Sequence, residues 1–199
     1  MEIFLQKIKG LDYELFYLLN STAGNSILDE PMMILASDYF IPICLASILV
    51  FVWFSGKSIK ERTSDQMSVI TSMICMASAS LSVLILNIFL FRDRPFSTLD
   101  VNLLFYMPTD SSLPANSFAS TLAFSLPILK SRKILGILML GGSILMGLAR
   151  IYVGVHYPGD LILAALIAST AFILSGFLTN KIQEYLLITL KVFRKMYLA

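Results

Sequence analysis

The chain has 199 residues, of which 57% are hydrophobic and 14% charged, with a net charge of +2. Soluble domains carry roughly 25% charged residues, so this composition excludes an ordinary soluble enzyme, and no nucleic acid is expected as a partner. The length fits one domain, and the two cysteines, Cys44 and Cys75, neither build a disulfide framework nor show metal-ligand spacing.

The first 25 residues read as an interfacial helix. Glu2, Lys7, Lys9, Asp12 and Glu14 deny this stretch the apolar centre of a signal peptide. Phe4, Ile8, Leu11, Leu15 and Leu18 nevertheless recur at helical spacing. Five runs with little or no charge follow: 31–54, where Asp38 is the one charge, then 66–91, 114–129, 134–149 and 161–180. A helix crossing the hydrocarbon needs about 17 to 25 residues. The first, second and last runs qualify alone, and the two shorter ones qualify if neighbours bury their ends. Cys44 and Cys75 fall inside the runs as small apolar filler. Ala77, Ser78, Ala79 and Ser80, with Gly136, Gly141, Gly142 and Gly147, would let helices approach closely. The tail, 181–199, sets Tyr185, Leu186, Leu190 and Phe193 against Lys191, Arg194 and Lys195. The expectation is an all-α, polytopic transmembrane bundle of about five spanning helices. It forms a single domain over 1–199, with its membrane core at 26–180.

Charge assigns the sides. If the runs alternate direction, Lys57, Lys60, Arg62, Lys130, Arg132, Lys133, Lys181, Lys191, Arg194 and Lys195 share one face, ten of the 15 basic residues. The positive-inside rule makes that face cytoplasmic, together with the C-terminal tail. Arg92, Arg94 and Arg150 fall on the opposite face, beside the only histidine. Topology gives no reason for them. An anion bound outside the cytoplasm does.

Three segments converge on that outer face: NIFLFRDRPF at 87–96, SSLPANSFAS at 111–120 and ARIYVGVHYPGD at 149–160. Pro114 suits the first turn of a helix. The amides of Ala115, Asn116 and Ser117 would then point outward with the positive end of the helix dipole, which favours a phosphate. Pro158 starts another helix, leaving His156 just before it and Asp160 in its first turn. A carboxylate there can accept the Nδ1 proton and free Nε2 for attack. Arg94 and Arg150 can clamp phosphate oxygens bidentately. Phe91, Phe96, Phe118 and Tyr152 are candidates to line a lipid-tail groove, as well as ordinary interfacial aromatics. Charged groups at membrane depth are functional by default.

These segments resemble the integral-membrane type 2 phosphatidic acid phosphatases, which share their site with vanadium haloperoxidases. The third motif of that family is Ser-Arg, five residues, His, three residues, Asp. It stands here as Arg150, His156 and Asp160 at the same intervals, with Ala149 for the serine. The first motif is Lys, six residues, Arg-Pro: Arg94 and Pro95 match, and Asn87 takes the lysine position. The second, Pro-Ser-Gly-His and its variants, keeps Pro114 and Asn116, with Ala115 and Ser117 for the serine and histidine. Order and spacing extend over about 29–178. Leu28-Asp29 before the first run also resembles the short bacterial members that dephosphorylate undecaprenyl pyrophosphate.

The resemblance implies a mechanism without metal or other cofactor. His156 attacks phosphorus to form a phosphohistidine, Asp160 orients it, and Arg94 and Arg150 hold the equatorial oxygens. Water then releases phosphate, and the second-motif histidine, absent here, usually protonates the leaving oxygen. Arg92 is a further candidate to neutralise the departing phosphate. The expected activity is hydrolysis of undecaprenyl pyrophosphate at the extracytoplasmic membrane face. The alternatives are a phosphatidate or phosphatidylglycerol-phosphate phosphatase, a lipid phosphotransferase, or a lipid-phosphate-binding pseudoenzyme. A transporter fits poorly, because no run carries a central charge pair and no repeat is evident.

Overall fold

The computed structural model describes residues 2–196, with side chains from Gln6 onward except position 8. Phe4 and Ile8 of the expected apolar stripe lie outside the described side chains. Ten helices form the described chain, in the order α1 Glu2–Asn20, α2 Asp29–Ala36, α3 Phe40–Ser55, α4 Ile59–Phe89, α5 Pro95–Thr98, α6 Asn116–Ser125, α7 Ile128–Ser131, α8 Lys133–Tyr152, α9 Pro158–Lys181 and α10 Gln183–Lys195.

Helices α4, α8 and α9 are each long and apolar enough to cross a membrane, and α2 with α3, bent by 58° at their break, is apolar enough to make a fourth span if the pair crosses together. The run expected at 114–129 does not make a fifth span of the same kind. Pro127 lacks the N–H that an unbroken helix would need, so the segment divides into the 10-residue α6 and the short α7. At 1.5 Å per residue α6 covers about 15 Å, half the hydrocarbon thickness. It is the central helix of the bundle, and with α7 it carries the chain from Asn116 at the histidine end to Arg132 beside Asp65 at the other. Ala115, Ala119 and Ala123 are fully buried against Cys75, Ala79 and Val83 of α4 and Ala164, Ala168 and Ala171 of α9. These small side chains let three backbones meet closely.

Gly147 of α8 serves the same approach: a Cβ there would stand 2.8 Å from Phe118 and from Leu161. Gly136 faces the backbone of Leu129 at 2.7 Å, whereas Gly141 meets nothing within 4 Å. The packing role expected of the α8 glycines therefore belongs to Gly136 and Gly147.

Helix α4 runs for 31 residues and starts seven residues before its apolar run, because Ser58 accepts the Glu61 N–H as an N-cap. At the end of the bundle away from the histidine, the buried Asp65 receives a two-toothed bond from Arg132, with Nη2 at 2.7 Å and Nε at 3.1 Å. The tail helix α10 docks there through buried Leu190 and through Arg194, which donates to Thr63 and Gln66 at 2.8 Å each.

Helix α1 lies against α8 and α9, with Phe16 and Asn20 buried. Its leucine stripe points the other way, with Leu18 68% exposed. An exposed stripe of this kind is what an interfacial helix would give to lipid. Asn20 fastens the other face: it donates to the carbonyls of Asn102 and Tyr152 and accepts the Asn102 N–H at 3.0 Å.

Candidate active site

Four segment ends meet at one end of the bundle: the bend between α2 and α3, the strand-like exit of α4, the loop entering α6, and the α8–α9 turn. The last is built by local sequence. Helix α8 stops at Tyr152, and Gly154 takes φ +89°, a left-handed conformation that glycine adopts without steric cost. The amides of Gly154 and Val155 then return to the carbonyls of Ile151 and Arg150 at 3.1 Å each. This closure swings His156 back under the end of α8. Pro158 occupies the first position of α9, and Asp160 falls in the first turn, as the spacing predicts.

His156 is 2% exposed. Its Nδ1 lies 2.9 Å from the carbonyl oxygen of Ser112 and 3.6 Å from Asp160 Oδ2. With the proton on Nδ1 donated to Ser112, Nε2 keeps its lone pair and accepts from Arg94 Nη1 at 3.3 Å. The expectation that Asp160 takes the Nδ1 proton directly is thus modified: the nearer acceptor is the Ser112 carbonyl. Asp160 is drawn elsewhere. Its Oδ2 accepts the Tyr157 N–H at 2.8 Å and the Ser112 hydroxyl, and its Oδ1 accepts Arg92 Nη1 at 2.8 Å. Ser112 therefore joins the pair twice, by its carbonyl to the ring and by its hydroxyl to the carboxylate. Burial lowers the His156 pKa more than Asp160 raises it, and the nearby Arg94 and Arg150 add to the lowering. The imidazole is neutral near pH 7.

Arg94 and Arg150 are both buried, and both line the cavity that His156 lines. Arg94 donates to the Val155 carbonyl at 2.9 Å and pairs with Asp110 at 2.8 Å. Arg150 pairs with Asp38, and its Nε is a buried donor without a hydrogen-bond partner, which an anionic oxygen would satisfy. Both arginines, His156, Asn116, Ser117 and Tyr106 line one cavity of about 190 Å³.

Two expected phosphate binders, Arg92 and Ala115, stand elsewhere. Arg92 does not line that cavity. It lies over the Tyr157 ring at 3.8 Å and bridges Asp160 to Asp12 of α1, the latter at 2.6 Å. Rather than a third guanidinium for the anion, it stands as the counter-charge of Asp160. The Ala115 amide is directed at the Asp160 carbonyl at 3.4 Å, because α6 begins at Asn116, two residues after Pro114 rather than at it. Asn87 sits in the last turn of α4 and is not among the residues lining the cavity.

Sequence reasoning missed Asp38, Tyr106, Asp110 and Ser112. Asp38 left a signal, as the one charge in the run 31–54. The others lie in or beside an irregular loop that carries no periodicity. Tyr106 donates to Asp38 Oδ2 at 2.7 Å, and this bond is the main reason its phenol is raised above the ordinary value.

A membrane helix bundle that holds a neutral histidine and two buried guanidiniums around one cavity of phosphate scale is the architecture of a membrane phosphatase. The chain belongs to the PAP2 superfamily, whose family model matches residues 68–185, more than half its length. It is a phosphatase of that lipid-phosphate family. It is 29% identical over 178 residues to "Undecaprenyl-diphosphatase BcrC" of Bacillus subtilis (strain 168), covering 88% of this chain and 86% of that protein. The crystal structure of Aquifex aeolicus LpxE superposes with a TM-score of 0.66 at 27% identity, over 83% of this chain and 94% of that one. A transmembrane PAP2-type phosphatidylglycerolphosphate phosphatase from Bacillus subtilis shares the fold, with a TM-score of 0.62 at 17% identity and 88% of both chains covered.

Proposed function

We propose that the chain hydrolyses undecaprenyl pyrophosphate to undecaprenyl phosphate and inorganic phosphate, with His156 Nε2 as nucleophile. The carrying observation is that the phosphate cavity adjoins a run of largely apolar grooves. Asp38, Asn116 and Ser117 also line a groove of about 370 Å³ beside it. That groove shares Ala46 and Phe124 with a third, almost wholly apolar, of about 340 Å³, which reaches Trp53 and Phe54 at the far end of α3. Phosphate at one end and a run of hydrocarbon-lined surface along α3 and α4 suit a lipid with one long tail. Phe91, Phe96, Phe118 and Tyr152 do not line this path; Pro42, Met76 and Phe124 do.

In the first half-reaction Nε2 attacks the terminal phosphorus, while Arg94 and the unpaired Nε of Arg150 bind its oxygens. Ser112 and Asp160 stabilise the positive charge that the ring gains. The relative named as an undecaprenyl-diphosphatase supports the same substrate. Filling the groove tests the reading. Ala46→Trp should raise KM at least about tenfold for undecaprenyl pyrophosphate, a loss of about 1.4 kcal/mol, while a short-chain isoprenyl pyrophosphate keeps its wild-type KM. A KM unchanged for the long lipid would remove the groove from the substrate's path.

The same reading places the site outside the cytoplasm and the C-terminal tail inside, by the distribution of Lys and Arg. In a background lacking Cys44 and Cys75, Asp100→Cys should label with an impermeant thiol reagent in intact cells and Lys60→Cys should not. Labelling of position 60 alone would reverse the orientation.

A further inference from the structure

We propose that Asp38 is the general base of the second half-reaction, taking the proton from the water that hydrolyses the phosphohistidine. The inference rests on the assignment of His156 as nucleophile and extends it to a residue outside the family-matched segment 68–185.

The direction of attack selects the place. A phosphoryl group is displaced in line, so the leaving lipid phosphate departs on the side opposite His156, toward the tail groove. The hydrolytic water must then enter through the space the lipid phosphate has left. Asp38 stands at that seam, since its side chain lines both the phosphate cavity and the adjoining groove. It is also beside Ser117, which donates to Asp38 Oδ1 at 3.3 Å. Ser117 occupies the position where the family motif carries its histidine, so a carboxylate from the α2–α3 bend reaches the place where the chain has lost an imidazole.

The bonding of Asp38 fits a base. Its partners are all donors: the Arg150 guanidinium, the Tyr106 hydroxyl and the Ser117 hydroxyl. An ionised carboxylate offers about four acceptor sites, so one remains for a water. The side chain is 33% exposed, open enough to meet solvent in the cavity. Its rivals are worse placed. Asp160 is fully buried, with both oxygens engaged. Asp110 is 64% exposed, held by Arg94, and does not line the groove.

The step balances. A water O–H breaks and its proton moves to Asp38. The oxygen bonds to phosphorus as the P–Nε2 bond breaks, and that electron pair returns to Nε2. Inorganic phosphate leaves, His156 is again neutral with its proton on Nδ1, and Asp38 passes its proton to solvent. An ionised Asp38 cannot protonate the leaving group in the first half-reaction, and a lipid monophosphate leaving group does not require it.

The test is rapid acid-free quench with undecaprenyl pyrophosphate labelled in its terminal phosphate. For Asp38→Asn we expect a burst of lipid phosphate close to one per enzyme. Steady turnover should then fall about 10²- to 10⁴-fold, with label held as phosphohistidine on His156. Asp38→Glu should recover part of the steady rate. Should the asparagine variant fail to fold, Asp38→Glu carries the test alone, by slowing decay of the phosphohistidine more than its formation. Equal slowing of formation and decay would reduce Asp38 to a partner that positions Arg150. Turnover at the wild-type rate in His156→Ala would instead defeat the phosphohistidine reading, and this inference with it.

Discussion

His156→Ala is expected to lower turnover of the lipid pyrophosphate on the order of 10⁴-fold or more, with the helical content of the purified protein unchanged. No other imidazole exists to replace it. Asp160→Asn should cost less than the ~10⁴-fold seen when an aspartate is the direct orienter of a catalytic histidine. Here the Ser112 carbonyl already fixes the tautomer, and Asp160 acts from 3.6 Å. A loss of about 10²-fold is the expected figure. The pH profile gives an independent reading. Burial holds the His156 pKa below its ordinary 6.5, so the nucleophile stays neutral as pH falls through that value. The acid limb of kcat/KM should therefore lie below 6.5. The unfolded chain protonates first in that range, so stability contributed by the neutral buried ring also declines as pH falls below about 6.5. An acid limb above 7, or full activity in the alanine variant, would contradict the assignment.

The second large effect is substrate choice. Cleaving a lipid monophosphate expels an alkoxide, for which proton donation is worth about 10²- to 10⁴-fold. Cleaving a lipid pyrophosphate expels a phosphate monoester, whose second pKa is roughly 6, and it departs near neutral pH unaided. The cavity holds Ser117 where a proton donor would stand, and the acid beside it, Asp38, is paired with Arg150. Undecaprenyl pyrophosphate should accordingly exceed phosphatidic acid in kcat/KM by at least about 10²-fold in the same detergent. Ser117→His should raise the rate on the monophosphate more than on the pyrophosphate. Equal rates on the two lipids in the unmodified protein would show that another group supplies the proton. Such a result would favour the phosphatidate or phosphatidylglycerol-phosphate alternatives.

Much of this was legible in the sequence because it is local. The interval from Arg150 to Asp160 spans one helix end, one turn and one helix start, so spacing alone placed His156 before α9 and Asp160 in its first turn. The long apolar runs gave α3, α4, α8 and α9 for the same reason. What escaped was non-local or irregular. Asp38 reaches Arg150 across 112 positions, and Asp12 reaches Arg92 across 80. No periodicity relates such partners. The role of Arg92 was misread because a basic residue near a phosphate site looks like a ligand until its acids are seen. The 114–129 run is apolar for a different reason from the long ones: α6 is enclosed by other helices.

Helix α8 also sets terms for anyone wishing to stabilise the protein by design. Replacing a glycine inside a helix by alanine gains about 0.4–1 kcal/mol by restricting the unfolded chain, wherever the methyl group has room. Gly141 has that room, and Gly142 meets only the tip of Ile41 at 3.9 Å. Gly147 does not: a methyl there drives into Phe118 and Leu161 at 2.8 Å, one turn from Arg150 on the same helix. The two ends of a seven-residue stretch are thus opposite kinds of engineering target. The first is open to improvement, while the second is a spacer of zero thickness that sets how closely α8 approaches Phe118 and Leu161, one turn before Arg150.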